Sequence, residues 1–254
     1  MIYAITNQKG GVGKTATAAA LITGLKAKGY KVLGIDLDMQ GNLSYTMGAP
    51  TGGPTILGVM LGEAPIENAI YQTAGGDIIP YAKGLNAAEK QFTETGREYI
   101  LTKALRDIAG DYDYIIIDTP PSLGILTVNA LTAADALIIP AQADIYSTQA
   151  ILETSRAMQS VKEYCNHDLR YEGILLTRYN GRATITKEAE EHIQNIAAEI
   201  GTKVFAARIR EGVAIKEAAA LQENLFTYAP KSNAATDYME FIDELLEGEH
   251  HNGK

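Results

Sequence analysis

The feature that most constrains this chain lies near its start. The glycine-rich run Gln8-Lys9-Gly10-Gly11-Val12-Gly13-Lys14-Thr15 stands directly between an apolar, strand-like segment at residues 2–6 and a helix-like segment at 14–28. Glycine has no Cβ and admits backbone conformations closed to other residues, so successive N–H groups in such a loop can turn toward one point. A helix that begins where the loop ends adds the positive end of its dipole. Strand, tight loop and helix in this order open a crossover unit, which needs a parallel neighbour strand.

The rest of the chain repeats that order. Strand candidates fall at residues 31–36, 77–80, 114–118, 136–140, 173–177 and 202–205, and helix candidates near 97–109, 123–134, 146–165, 184–200 and 235–247. Tyr114-Ile115-Ile116-Ile117 and Ala136-Leu137-Ile138-Ile139 are apolar at consecutive positions. Such runs suit strands covered on both faces, as in a parallel sheet. The expected fold class is α/β: a single doubly wound, mostly parallel sheet flanked by helices, of the P-loop NTPase type. Residues 39–76 break the rhythm with Gly48, Pro50, Gly52, Gly53 and Pro54. They read as a long connection on one sheet edge, with a short helix at 55–61 capped by Thr55.

A length of 254 residues fits one such domain, assigned to residues 1–247, with a polar, flexible tail at 248–254. Lys and Arg total 22 against 31 Asp and Glu, a formal charge of −9, which argues against a surface that coats nucleic acid throughout and leaves room for a local basic patch. The single cysteine, Cys165, excludes an internal disulfide, a cysteine-only zinc site and a one-chain iron–sulfur cage. The opening Met1-Ile2-Tyr3-Ala4-Ile5-Thr6 is not a signal peptide, and no apolar run reaches the length of a spanning helix. A cytoplasmic protein is the expectation.

The loop fits the end of the phosphate-loop pattern G-x-x-x-x-G-K-[ST] through Gly13-Lys14-Thr15, while Gln8 holds the first glycine position and Gly10 and Gly11 compensate. Lys14 is expected to reach the β- and γ-phosphates, and the Thr15 hydroxyl to ligate magnesium. Asp36 and Asp38 end the second strand candidate, and strand alternation predicts that they point to the same side. Tyr114-Ile115-Ile116-Ile117-Asp118 is an apolar strand ending in an acid, so Asp118 is expected to hold the metal.

Lys9 is not required by the generic pattern. The run Lys9-Gly10-Gly11-Val12-Gly13-Lys14-Thr15 resembles the deviant Walker A motif of the ParA/MinD family of ATPases. Asp36-Leu37-Asp38-Met39-Gln40-Gly41-Asn42 resembles that family's first switch, with Met39 where proline is usual, and Asp118-Thr119-Pro120-Pro121-Ser122 resembles its second. Further likeness runs through Leu126–Leu131, Ile139–Ala143, Gly173–Arg182 and residues 204–218.

The resemblance implies ATP and Mg²⁺ as cofactors and a sandwich dimer formed on ATP binding. Lys9 would act in trans on the partner's phosphates, beside Lys14. Asp38 would orient the attacking water, and Asp36 would sit near the metal's water shell. Nucleotide contacts would come from Lys9, Gly10, Gly11, Val12, Gly13, Lys14, Thr15 and Ala16. Adenine would lie near Arg178, Asn180, Arg208 and Arg210.

The ParA branch further implies non-specific binding of double-stranded DNA, with Arg182, Arg208, Arg210 and Lys216 as the leading contacts. Arg178, Lys187, Lys203 and Lys231 are supporting candidates, and the expected location is the nucleoid. A ParB-like partner would accelerate an otherwise slow hydrolysis. With the loop starting at residue 8, no helix-turn-helix domain is expected ahead of it. The alternative is a MinD-like positioning ATPase acting on a protein or membrane cargo, and a third reading is a nucleotide-gated scaffold with negligible hydrolysis. The terminal segment, Asp237 to Glu247, is amphipathic with an acidic polar face that anionic lipid would repel. It reads as a helix packed on the core, so no membrane partner is expected.

Overall fold

The structure is a computed structural model that describes residues 1–85 and 92–252. Its strands are β1 (Ile2–Ile5), β2 (Val32–Asp36), β3 (Tyr71–Thr73), β4 (Gly76–Ile79), β5 (Tyr114–Asp118), β6 (Ala136–Gln142), β7 (Arg170–Tyr179) and β8 (Val204–Arg210). They form one sheet in the order β3-β4-β2-β5-β1-β6-β7-β8. Every pairing is parallel except β3 with β4. The chain moves to one side of β1 through β2, β4 and β5 and to the other through β6, β7 and β8. The loop after β1 therefore opens at the point where strand order reverses, the crevice in which doubly wound sheets bind ligands.

The α-helices are α1 (Lys14–Ala27), α2 (Asn42–Thr46), α3 (Ile56–Met60), α4 (Ile100–Leu105), α5 (Ile125–Ala133), α6 (Ile145–Tyr164), α7 (Thr184–Glu199), α8 (Val213–Ala220), α9 (Leu225–Tyr228) and α10 (Asn233–Asn252). They divide between two cores. On β1, Ala4 packs into one face with Leu33, Ile115, Ile117 and side chains of α3 to α7. Tyr3 and Ile5 pack into the other with α1, α8, α9 and α10. Period-2 alternation along buried strands feeds both, which is why these strands read as unbroken apolar runs.

The connection at residues 39–76 lies along one sheet edge, as expected, but it contains more order than the loop residues imply: α2, α3, a 3₁₀ turn at Ile66–Ala69 and β3. Thr55 occupies the N-cap position of α3 without a side-chain hydrogen bond, so the helix is held by burial of Ile56, Val59 and Met60 rather than by the expected cap. The helix expected over 97–109 is a 3₁₀ turn at Arg97–Tyr99 followed by the shorter α4. Buried Asn129 holds this corner through Leu101 N, Arg97 O and Ile125 O.

Helix α10 continues to Asn252, and the Glu249 carboxylate accepts from Tyr3 Oη and from Tyr114 Oη, the latter at 2.6 Å. Residues 253–254 lie outside the described residues. The apolar side of α10 (Ala234, Ala235, Tyr238, Phe241, Ile242, Leu245) is buried at helical spacing. A Cβ on Gly24 of α1 would lie 2.3 Å from Ile242 Cδ1, so these two helices meet closely.

Its acidic side is bound to the protein as well. The β7–β8 register slips between Ile174 and Leu176, leaving two amides of β8 without strand partners. Glu244 accepts from both, Ala206 N at 2.8 Å and Ala207 N at 2.9 Å. At the second slip, Asp237 accepts from Arg210 N at 2.8 Å and from its guanidinium. Asp243 pairs with Lys28 of α1.

Candidate nucleotide site

The loop between β1 and α1 turns through Gly11 at φ 75° and Gly13 at φ 87°, left-handed conformations that glycine adopts freely. Among the described residues, the N–H groups of Gly10, Gly11, Val12 and Gly13 donate to no protein acceptor with ordinary hydrogen-bond geometry. A row of unpaired amides at a helix start is an anion-binding nest. Asn7 fixes the loop's entry: its amide donates to Pro140 O at 2.8 Å, and its Oδ1 accepts from Lys9 N at 2.9 Å. The loop floors a cavity of about 450 Å³ whose wall includes Gly10, Gly11, Gly13, Lys14, Thr15, Ala16, Asp38 and Pro121.

Two carboxylates, Asp118 and Asp38, act on one ammonium here, and Asp36 lies beside Asp118. Lys14 is buried, and burial draws its ammonium below the ordinary lysine range against the pull of Asp118 and Asp38. Burial pushes Asp118 well above the usual carboxylate range; the neighbouring Asp36 adds to this, while Thr15 and Lys14 oppose it. Burial likewise lifts Asp36 to about 6, against its bonds from Ser44. Thr15 Oγ1 donates to Asp118 Oδ2 at 2.7 Å, and Asp118 Oδ1 is buried without a partner. An orphaned carboxylate oxygen beside a hydroxyl, in a site with excess negative charge, suits a hard divalent cation such as Mg²⁺. Thr15 and Asp118 therefore fit the metal.

Asp36 does not share that aim. Its Oδ2 accepts from Ser44 N and Ser44 Oγ, each at 2.7 Å, and its Oδ1 from Asp38 N at 3.1 Å. Both oxygens serve the backbone leading into α2, so Asp36 anchors the first switch while standing beside Asp118, its register partner. β2 ends at Asp36, so Asp38 lies beyond the strand and its direction is set by the switch backbone rather than by strand alternation. Asp38 does reach the cavity, with Oδ1 accepting from Gln40 N at 3.0 Å.

Lys9 is turned away from the phosphate hollow. Its Nζ lies 2.5 Å from Asp144 Oδ2 and 3.3 Å from Ser147 Oγ, and it sits 5.9 Å from the ring of Tyr146. Asp144 also caps α6, accepting from Ser147 N at 2.9 Å. Sequence reading missed Asp144; an acid just before an amphipathic helix was its only signal. Beside Lys9, Tyr146 is exposed at 75% and the preceding Ile145 at 77%, and Val213, which follows the cavity-lining Gly212 at the start of α8, is exposed at 71%.

The adenine assignment divides. Arg178 and Arg210 line the cavity, together with Ile209, Gly212, Ile215 and Tyr238, which the sequence did not single out. Asn180 and Arg208 do not; with Arg182 they line a separate open cleft outside β8. Lys216, grouped by sequence with those arginines, lines the nucleotide cavity. Arg208 pairs with Glu190, Arg210 with Asp237 at 2.5 Å and Arg178 with Glu211 at 3.9 Å. Lys203 stacks over Phe205 at 4.7 Å. Arg182, Lys187, Lys216 and Lys231 make no ion pair among the described residues. Among those residues, no helix is long and apolar enough to cross a membrane.

A family model described as an AAA domain matches residues 1–171. The chromosome partitioning protein ParA of Caulobacter vibrioides is 37% identical over 255 residues, covering 98% of this chain and 94% of that one. The sporulation initiation inhibitor protein Soj of Bacillus subtilis is 35% identical, covering 96% of this chain and 97% of that one. Among solved structures, cobyrinic acid a,c-diamide synthase from Mycobacterium smegmatis with bound ADP and magnesium superposes with a TM-score of 0.83 at 34% identity, covering 96% of this chain and 93% of that one.

Proposed function

Because the chain belongs to the ParA/Soj family of partitioning ATPases, we propose that it is a ParA-type partition ATPase whose ATP-bound dimer binds DNA and lets go on hydrolysis. The observation that carries this reading is the second lysine. Lys9 precedes the cavity-lining Gly10 and Gly11, pairs with Asp144 rather than with a group of the phosphate hollow, and has the exposed Tyr146 ring beside it. That arrangement suits a lysine whose phosphate belongs to a second copy. Ile145, Tyr146 and Val213 would be covered by that copy.

In this proposal the unpaired amides of Gly10 to Gly13 and the Lys14 ammonium hold the β- and γ-phosphates. Thr15 and Asp118 hold Mg²⁺, which when bound draws negative charge from the phosphate oxygens. Asp38 accepts a hydrogen bond from the attacking water and orients it. Asp38 orients the water without a second base beside it in this proposal, so intrinsic turnover is slow and a ParB-like partner has room to accelerate it. Lys9 must leave Asp144 to act in trans, and its arrival adds positive charge where the transition state needs it.

The DNA surface draws on the unpaired cations Arg182, Lys187, Lys216 and Lys231 more than on Arg208 and Arg210, whose carboxylate partners cancel their charge. Two such weak patches on one dimer gain by avidity. The test is binding to duplex DNA of arbitrary sequence with ATP, with ADP and without nucleotide, across a salt series, beside anionic liposomes. ATP-dependent, salt-sensitive retention on DNA is expected. Retention on liposomes alone would replace the proposal with a positioning ATPase acting on a membrane cargo. DNA binding without phosphate release would reduce it to a nucleotide-gated scaffold.

A further inference from the structure

Two polar side chains at the ends of neighbouring strands have no part in the site as built so far. Gln142 ends β6 and Thr177 lies near the end of β7, and the two are register partners across the β6–β7 pair. Both reach the phosphate loop. Gln142 Nε2 donates to Gly11 O at 3.2 Å, and buried Thr177 Oγ1 donates to Val12 O at 2.7 Å and to Ala141 O at 3.2 Å. The carbonyls of two consecutive loop residues are thus drawn toward one strand pair.

A trans peptide sets its C=O and the following N–H on opposite sides of the same plane. Drawing the Gly11 carbonyl toward Gln142 turns the Val12 N–H away from the strands. Drawing the Val12 carbonyl toward Thr177 does the same for the Gly13 N–H. Both amides belong to the row at the loop that has no protein acceptor among the described residues. Glycine at 11 and 13 leaves the loop free to flip such peptides, so something outside the loop must choose their direction.

We infer that Gln142 and Thr177 are positioning residues that aim the Val12 and Gly13 amides at the nucleotide phosphates. The inference rests on the loop being the nucleotide site. Thr177 is the stronger anchor, being buried and bonded at shorter distance. Through it the β7 end is tied to the phosphate loop, and the next residue of β7, Arg178, stands at the cavity wall.

The test is calorimetric titration of the full chain with Mg-ADP and Mg-ATP, beside steady-state hydrolysis. Thr177→Val keeps the shape and removes the donor. It is expected to weaken both nucleotides about fivefold to tenfold, the loss of one neutral hydrogen bond. KM should rise with kcat within about twofold, as expected when binding rather than chemistry is lost. Thr177→Ser should restore parental affinity, and Gln142→Ala should weaken binding about twofold. Parental affinity in Thr177→Val with a lowered melting temperature would make Thr177 a packing residue and overturn the inference. Should Thr177→Val fail to fold, unchanged affinity in Gln142→Ala overturns it instead. If the parent protein itself binds neither nucleotide, the reading of the loop fails first and takes this inference with it.

Discussion

The phosphate loop and the β8–α10 edge both concentrate polar and charged groups, and they treat them in opposite ways. At the loop, four consecutive amides and one oxygen of Asp118 have no partner among the described residues, and two carboxylates, Asp118 and Asp38, act on one buried lysine. At the edge, the charges meet. Glu244 fills the amides freed by the register slip, Asp237 holds Arg210, and Glu190 holds Arg208. Buried polar groups without partners are costly, so a fold retains them where a ligand completes them. Paired groups contribute to stability and have little left for a ligand. The contrast separates binding residues from structural ones better than charge alone does.

The largest effect expected is at Lys14. Lys14→Ala should weaken ATP binding by about 100-fold or more through loss of charge-assisted contacts to phosphate. Equal binding, measured by calorimetry, would erase the distinction between loop and edge. Asp38→Ala should leave ATP binding nearly unchanged and lower turnover by about 100-fold. A persistent ATP-bound dimer in size-exclusion chromatography should accompany it, and undiminished phosphate release would remove Asp38 from the mechanism.

At the edge the expected readout moves from ligand to fold. Glu244→Ala should lower stability by about 1–2 kcal/mol, leaving two amides short of their acceptor, with ATP affinity unchanged. Denaturant melts beside a nucleotide titration would check both halves of that statement. The smallest effect is at Arg182. Arg182→Ala should reduce the salt dependence of DNA binding by about one phosphate contact per subunit. Arg208→Ala should leave that slope as it is; a larger change there than at Arg182 would show that paired cations still serve DNA.

Those two regions were also unequally legible in the sequence. Gly13, Lys14, Thr15 and Asp118 are local signals, each readable from its neighbours, and the structure gathers them around one cavity. The buried parallel strands were equally plain because coverage on both faces leaves an apolar run. What was hidden depends on distance along the chain. Asp144 meets Lys9 from 135 positions away, and nothing in either segment announces the other. The adenine side split because β7 continues to Tyr179, with Arg178 at φ 49° turned to the cavity and Asn180 carried past it. The roles of Glu244 and Asp237 arise from a register slip, which no propensity records. The core-packing side of helix α10 is legible in its apolar spacing, while the partners of its acids are not.

The closure of β8 by α10 bears on how copies of this chain can add together. An exposed strand edge is a template that recruits further strands without limit. Here the amides at the slips of β8 are held by side chains of α10. At the other end of the sheet β3 is three residues long, and Lys26 covers the carbonyls of Thr73 and Ala74. Growth by sheet extension is therefore blunted in both directions. The dimer proposed above, formed through the face that carries Lys9 and the cavity, would then close at two subunits instead of running on into a fibre.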